Sequence, residues 1–175
     1  MLAGKGAVVT GSTSGIGLGI ATALAAQKVN IMLNGFGEPG AIEKLRKELA
    51  SRHGIKVAYS GADMSKPNEI AGLIDTAEHE FGSLDIVVNN AGVQHVAPVE
   101  EFPDDRWDAV IGINLSAAFH AGGEFAGVNA IFIHIRPSGN FAAKTRIPSS
   151  RAAGAYHVGA RCGGGSFGNI TLHVT

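Results

Sequence analysis

A glycine-rich turn near the start of the chain has the composition of a phosphate-binding turn. The segment from Thr10 to Gly17 reads TGSTSGIG, follows the apolar stretch 6–10 and precedes apolar residues at helical spacing. Gly11 permits a tight turn, while Gly15 and Gly17 let the backbone approach a pyrophosphate. The free N–H groups and dipole of the following helix favour an anion. The pattern predicts a dinucleotide phosphate site; its alternative is a glycine-rich turn with no ligand.

The end of the second apolar segment bears on which dinucleotide is bound. Many dinucleotide sites place an acidic residue here to bind the ribose 2′-hydroxyl. This chain has Asn34, in the segment NGFG, which is neutral and can still hydrogen-bond a hydroxyl. No Lys or Arg lies close by in sequence to bind the 2′-phosphate of NADP, so the pattern favours NAD. Phe36 could cover the adenosine or be an ordinary exposed loop aromatic.

A regular alternation of strands and helices positions these residues. Apolar strands are predicted at 6–10, 29–34, 55–63 and 84–92, and helices at 16–28, 37–54, 65–82 and 103–121. Ser65 is a candidate N-cap of the third helix, and Gly54 and Gly82 are typical helix stops. Alternation with continuous apolar strands predicts an α/β fold, a Rossmann-like doubly wound parallel sheet. Right-handed crossovers give the strand order 3-2-1-4.

Composition limits the classes of partner. The chain has 175 residues, a net charge of -1 and one cysteine. This size suggests one domain, and this charge gives no electrostatic reason to propose a nucleic-acid or membrane partner. One cysteine excludes an intrachain disulfide, which fits a reducing compartment. The first residues lack a signal-peptide pattern and no apolar run is long enough for a membrane span. We therefore expect a soluble, cytoplasmic protein.

Four ordered motifs resemble the short-chain dehydrogenase/reductase family. They are the glycine turn TGSTSGIG, GAD at 61–63, NNAG at 89–92 and Asn114 within GINLS. The resemblance covers residues 4–120. It implies an NAD-dependent oxidoreductase that transfers hydride between the cofactor and a small hydroxy or keto acid, and a homo-oligomeric assembly.

The resemblance also implies roles for individual residues. The cofactor would contact Gly11, Thr13, Ser14, Gly15, Ile16, Gly17, Asn34, Phe36, Asp63, Met64, Asn90, Ala91 and Gly92. Gln94, helped by His95, would bind the carboxylate of the substrate, unless both belong to an ordinary polar loop. Asn114 would interrupt its helix and hold a water for proton transfer; its alternative is a local backbone hydrogen bond.

The catalytic pair that this family implies is missing. Family members place a lysine four residues after a tyrosine on one helix face, where the ammonium lowers the tyrosine pKa. Here Tyr156 is followed at that spacing by Ala160, and the surrounding glycines disfavour a helix. The segment AIFIHIRPSG, 130–139, could serve as a fifth strand ending in Ser138, which imitates the strand-then-serine pattern of the family, so Tyr156 and Ser138 remain doubtful catalytic candidates.

The sequence changes character near residue 120. Residues 1–119 carry 9 Lys+Arg and 14 Asp+Glu, whereas residues 120–175 carry 5 and 1. Of ten leucines only Leu172 lies in the second part, together with 10 of the 25 glycines. We predict an NAD-binding domain at 1–120 and a glycine-rich, mostly irregular segment at 121–175 with one added strand, truncating the sheet at four to five strands and impairing oligomerisation. Cys162 with His157 or His173 supplies too few ligands for a metal site.

Two interpretations follow from this departure. In the first, the chain is a dehydrogenase of this family in a form that lacks the tyrosine–lysine pair. In the second, it is an inactive nucleotide-binding remnant produced by a frame change, splicing or rearrangement. A third outcome, a product that does not fold, follows from the exposed sheet edge that a truncated sheet leaves.

Overall fold

The computed structural model describes residues 2–124 and, after them, the backbone of strands only. The strands of the main sheet are β1 (Gly6–Val9), β2 (Asn30–Asn34), β3 (Val57–Ser60), β4 (Ile86–Asn89), β5 (Ile131–Ile135) and β6 (Phe141–Thr145). The helices are α1 (Gly15–Ala26), α2 (Pro39–His53), α3 (Pro67–Phe81), α4 (Asp104–Ile111) and α5 (Ala117–Glu124). A 3₁₀ turn at Val99–Glu101 precedes α4, and a π-helical turn at Gly112–Ser116 joins α4 to α5.

The six strands form one sheet in the order β3-β2-β1-β4-β5-β6. The predicted doubly wound fold and the order 3-2-1-4 are confirmed. β5 pairs in parallel with β4, with Asn89 opposite His134, and β6 pairs antiparallel with β5. The sixth strand exceeds the four to five that the sequence predicts, because the short segment FAAKT has too little apolar alternation to be recognised.

Further short strands lie after β6. The segment β7 (Ala155–Val158) pairs antiparallel with β10 (Ile170–His173), and β8 (Arg161–Cys162) pairs antiparallel with β9 (Gly165–Ser166). Tyr156 therefore lies on a strand. Two positions of interest, Ser138 and Ala160, fall outside the described residues.

The core lies on both faces of the sheet, which explains the continuous apolar strands. In β1, the side chains of Ala7 and Val9 pack with Leu24 of α1, while that of Val8 packs with Leu73 of α3 on the opposite face. Alternate residues of a strand point to opposite faces, so a strand covered on both sides must be apolar throughout. The helices packed on the two faces thus fix the ends of the strands, where the candidate site residues lie.

Helix ends follow the sequence signals with one exception. Gly54 and Gly82 adopt the left-handed conformation at the C-caps of α2 and α3, as predicted, with φ angles of 61° and 78°. The prediction of Ser65 as N-cap was wrong, because Lys66 occupies that position. The Ser65 hydroxyl instead donates a hydrogen bond to Asp63 Oδ1 at 2.7 Å.

No helix in residues 2–124 has both the length and the hydropathy of a membrane span. Within the same residues, no three His, Cys, Asp or Glu side chains come together as metal ligands.

Asp85 ties the start of β1 to the start of β4. Its carboxylate accepts hydrogen bonds from Lys5 Nζ at 2.6 Å, the Gly6 N–H at 3.0 Å and the Ser83 hydroxyl at 3.1 Å. Burial alone would raise the pKa of Asp85, but these donors favour the carboxylate more strongly and the pKa is lowered. The side chain of Asp85 is only 14% exposed, so solvent screens this ion pair less than those on α2.

We predict that Asp85→Asn lowers the free energy of unfolding at pH 7 by about 1–3 kcal/mol, because a charge-assisted network is weakened. Since its folded pKa is depressed, Asp85 stabilises the protein above its unfolded pKa of about 3.9, and this contribution is lost as the pH falls through the folded value. Urea unfolding at several pH values measures both effects. Glu48→Gln, in an exposed pair with Lys44 at 3.9 Å, is the control and should change stability by less than about 0.5 kcal/mol. Equal effects of the two substitutions would contradict this account.

Candidate functional site

The glycine turn requires its glycines for different reasons. Gly11 and Gly15 have φ angles of +63° and +57°, which side chains rarely adopt. Gly17 has ordinary helical geometry but no space: a Cβ there would collide with the Gly11 carbonyl oxygen and would lie 2.5 Å from Asn90 Nδ2. The backbone of the turn therefore lies in direct contact with the loop after β4.

Hydrogen bonds join the glycine turn to the NNAG loop (Asn89–Gly92). The buried Thr10 hydroxyl donates to the Val88 carbonyl at 3.2 Å and accepts from the N–H groups of Asn90 and Ala91 at 3.0 and 2.9 Å. Asn90 Nδ2 donates to the carbonyls of Thr10 and Gly11 at 2.8 and 3.1 Å. These bonds fix the crevice between β1 and β4, where the strand order of the sheet reverses and where ligands of such sheets bind.

The N-terminus of α1 is left open toward this crevice. Ser14 is its N-cap residue, in an extended conformation, and its side chain makes no capping hydrogen bond. No acidic residue lies in the first turn, and Ile16 is 40% exposed. The Thr13 hydroxyl donates to the Phe36 carbonyl at 3.0 Å. A helix that begins without a cap offers its first N–H groups to an anion.

Asn34 has partners other than those that the sequence suggested. Its side chain is fully buried; Oδ1 accepts from the Gly11 N–H at 3.3 Å, and Nδ2 donates to the carbonyls of Ser60 and Ala62 at 3.2 and 2.9 Å. Both amide protons are used, so no donor remains for a ribose hydroxyl. In this structure Asn34 links the ends of β1, β2 and β3.

Three residues expected to contact the adenosine differ in their surroundings. The Phe36 ring is 70% exposed at the rim of the site, whereas Met64 is 6% exposed and packs in the core beneath α3 and α5. The Asp63 carboxylate accepts from the Ser65 N–H at 2.9 Å and from the Ser65 hydroxyl, and these bonds hold the pKa of Asp63 below its ordinary value. Asp63 is thus an ionised acceptor at the end of β3.

Gln94 and His95, the expected substrate residues, lie on an exposed loop after the NNAG loop. The His95 ring contacts Phe102 edge to face, with ring centroids 5.2 Å apart, and Phe102 contacts Trp107 in the same way at 6.2 Å. Edge-to-face rings of this kind attract one another. The row of rings therefore connects the loop to the first turn of α4.

Asn114 lies in the π-helical turn, where the helix between α4 and α5 is interrupted. Its side chain pairs with the backbone of Val93: Oδ1 accepts from the Val93 N–H and Nδ2 donates to the Val93 carbonyl, both at 2.9 Å. The bond is thus long-range rather than local. π-Helical turns often mark functional sites, and this one fixes the loop that carries Gln94.

A small cavity lies beneath the crevice. Its volume is about 10 Å³, the space of roughly one water molecule. Polar and apolar side chains line it: Thr10, Met64, Asn89, Ala91, Ile113, Asn114, Ala117 and Ala118. Asn89 Nδ2 is buried there with no hydrogen-bond partner in the described part of the chain. The proposed water of Asn114 stays a prediction.

The structure brings the cofactor candidates and the catalytic candidate Asn114 to one edge of the sheet. The glycine turn, the NNAG loop, Asp63 and Asn114 all lie near the carboxyl ends of β1, β3 and β4. Tyr156 is placed on β7, where no tyrosine–lysine helix exists, and Ser138 is not described.

Comparison with known proteins agrees with this geometry. The family model for short chain dehydrogenases matches residues 5–127. The chain belongs to the short-chain dehydrogenase family. It is 60% identical over 121 residues to the D-beta-hydroxybutyrate dehydrogenase of Cupriavidus necator and 51% identical over 116 residues to that of Rhizobium meliloti. The resemblance that the motifs indicated is confirmed.

These alignments cover part of each protein. They include 69% and 66% of this chain but only 46% and 45% of the two relatives, so the chain spans less than half of their length. A Burkholderia cenocepacia short chain dehydrogenase in complex with NADP is 30% identical, with a TM-score of 0.68 over 71% of this chain and 51% of that one. A metagenomic blue fluorescent protein in complex with NADPH is 30% identical, with a TM-score of 0.65.

Sequence reasoning missed two contacts in the segments that flank the candidate site. The Phe102–Trp107 contact depends on how α4 packs, and no local sequence pattern predicts that packing. Glu38 caps α2 with its carboxylate. Because Pro is common at the first position of a helix, Pro39 indicated that the residue before it, Glu38, is the N-cap.

We predict opposite effects for two Gly→Ala substitutions. Gly17→Ala should lower the free energy of unfolding by about 1–3 kcal/mol, because its Cβ collides with the Gly11 carbonyl and Asn90. Gly72→Ala, in the exposed middle of α3 with nothing within 4 Å, should raise it by about 0.5–1 kcal/mol. Denaturant unfolding of both variants measures this difference. A neutral Gly17→Ala would show that the turn and the NNAG loop are not in contact.

Proposed function

We propose that this chain is the NAD-binding part of an oxidoreductase that resembles D-3-hydroxybutyrate dehydrogenase, and that on its own it binds NAD without catalysing hydride transfer. The observation that carries the proposal is the open N-terminus of α1, which the Thr10 and Asn90 hydrogen bonds hold in the crevice between β1 and β4. Family membership gives the ligand class, a nicotinamide dinucleotide.

The residues present fit the phosphates of such a cofactor. A Cβ at Gly17 would fill the close approach of α1 to the turn, and α1 begins with neither a capping side chain nor an acidic residue. Backbone N–H groups from Ser14 to Gly17 would bind the pyrophosphate. The cofactor supplies a hydride acceptor when bound; the chain supplies the anion site and its orientation.

The remaining side chains would complete the cofactor and substrate sites. Phe36, at the rim, would cover the adenosine, and the Asp63 carboxylate, already ionised, would accept a hydrogen bond from the adenine amino group. Asn90 and Gly92 would lie against the ribose. Gln94 would donate hydrogen bonds from its amide to the carboxylate of a small hydroxy or keto acid, with His95 beside it.

The sequence lacks the tyrosine–lysine pair that would accept the hydroxyl proton during hydride transfer. Oxidation of a secondary alcohol needs a base for the hydroxyl proton, and no Tyr-x-x-x-Lys occurs in the sequence. A tyrosine without a cation nearby has a pKa of about 10 and is a poor base at neutral pH. The 60% identity to an enzyme named for hydroxybutyrate oxidation favours the second candidate, an active dehydrogenase. A turnover assay separates the two.

Isothermal titration should show saturable binding of NAD by the folded chain. Gly17→Ala should weaken that binding by about tenfold or more, because the displaced turn loses its alignment to the phosphates. Gly72→Ala is the matched control and should bind as the unsubstituted chain does. A chain whose circular dichroism shows it to be folded, and which binds no dinucleotide, would contradict the proposal.

The second prediction for this function concerns turnover. With D-3-hydroxybutyrate and NAD, the purified chain should produce no NADH above background at 340 nm, because the sequence has no lysine four residues after either tyrosine, Tyr59 or Tyr156, to lower its pKa. Turnover that disappears in Tyr156→Phe would contradict this prediction and establish the active dehydrogenase. A full-length dehydrogenase assayed in parallel shows that the conditions support the reaction.

A further inference from the structure

Hydroxyl groups from two different segments hold the loop between β2 and α2. The Tyr59 hydroxyl, on the edge strand β3, donates to the Gly35 carbonyl at 2.8 Å. The Thr13 hydroxyl, on the glycine turn, donates to the next carbonyl along the chain, that of Phe36, at 3.0 Å. The loop is therefore anchored both to the outer strand of the sheet and to the turn that would hold the pyrophosphate.

The same loop lies in direct contact with the glycine turn. A Cβ at Gly35 would lie 2.8 Å from Thr13 Oγ1 and 3.6 Å from the Cα of Gly11. Directly before the loop, the Asn34 carbonyl accepts the Ser12 N–H at 2.7 Å. The loop is therefore part of the wall of the proposed site rather than a remote connection.

Tyr59 also contacts the second segment that is expected at the adenosine. A Cβ at Gly61, the first residue of the GAD motif, would lie 3.2 Å from Tyr59 Oη and 3.8 Å from its Cζ. Asp63, the proposed acceptor for the adenine amino group, follows two residues later. The Tyr59 side chain thus contacts both the loop that carries Phe36 and the segment that carries Asp63.

The two hydrogen bonds fix the backbone angles of Phe36. The Gly35 carbonyl belongs to the peptide plane before Phe36, and the Phe36 carbonyl belongs to the plane after it. Because φ and ψ of Phe36 are the rotations that relate these two planes, anchoring both planes fixes the direction of its Cβ. The Phe36 ring is 70% exposed, so packing does little to hold it. Its direction therefore depends on the two backbone anchors.

We infer that Tyr59 is a positioning residue for the cofactor: through the Gly35 carbonyl, it holds Phe36 where the ring covers the adenosine. This inference rests on the proposed dinucleotide site. Without the Tyr59 hydroxyl, the peptide plane before Phe36 loses its anchor. The cofactor must then order the loop as it binds, and this ordering weakens its affinity.

Isothermal titration of NAD into the full chain and its variants tests this role. Tyr59→Phe removes only the hydroxyl and should weaken NAD binding by about threefold to tenfold, because one hydrogen bond no longer orders the loop. Thr76→Val is the matched control, since the exposed Thr76 hydroxyl donates to the Gly72 carbonyl at 2.6 Å within α3. Removing that hydroxyl should leave the affinity for NAD unchanged.

A double-variant cycle separates positioning from direct contact. Phe36→Ala should weaken NAD binding by about tenfold. Adding Tyr59→Phe to Phe36→Ala should weaken it no further, because the ring that Tyr59 positions is already gone. If Phe36→Ala binds too weakly to titrate, Phe36→Leu takes its place, and the effect of Tyr59→Phe should then be smaller than in the unsubstituted chain.

Equal losses from Tyr59→Phe with and without the Phe36 ring would show that Tyr59 does not act through Phe36, and would overturn the positioning role. An unchanged affinity for NAD in either single variant would overturn it as well and leave the proposed function intact. Failure of the folded, unsubstituted chain to bind NAD would overturn the proposed function and this inference with it.

Discussion

The close contact between the glycine turn and the NNAG loop is the constraint on which the site depends. The Thr10 hydroxyl and the Asn90 amide each bond to backbone on the opposite side of the crevice, so neither segment is free to move without the other. Gly11 and Gly17 are required because a Cβ at either would press on the NNAG loop or on the turn itself. The same contact sets how far the first turn of α1 reaches into the crevice, and so where the proposed site would hold an anion.

The parts of this arrangement that the sequence predicted are those with local causes. Continuous apolar runs predict strands buried on both faces, and glycines at the ends of α2 and α3 predict left-handed caps. The partners of Asn34 could not be predicted in the same way, because Ser60 and Ala62 reach it only after β3 has paired with β2. Ser65 likewise had the composition of a cap, but its hydroxyl bonds to Asp63 and the helix begins at Pro67.

The loop after β4 shows how a distant interaction determines a local conformation. Asn114 stands in the middle of a helical pattern, where its side chain usually competes with the backbone. Instead it pairs with Val93, 21 residues away, and the helix widens into a π-helical turn there. Nothing in the spacing of apolar residues gives that partner. Residues 93–95 consequently depend on a helix whose start, near Trp107, also contacts the same loop through Phe102 and His95.

Two helices, α1 and α2, begin at the same edge of the sheet. They differ in whether a side chain already bonds to their first N–H groups. At α1 the absence of a cap leaves backbone donors for a phosphate, and the crevice behind it is fixed by hydrogen bonds. At α2 a carboxylate occupies the equivalent donors and adds its own charge. The two helix starts therefore differ in the N–H groups that they leave for an anion, and neither includes a residue that would move a proton. The proposed separation of cofactor binding from catalysis has a structural basis, because the glycine turn, the start of α1 and the NNAG loop all lie within the first four strands, whereas no Tyr-x-x-x-Lys occurs anywhere in the sequence.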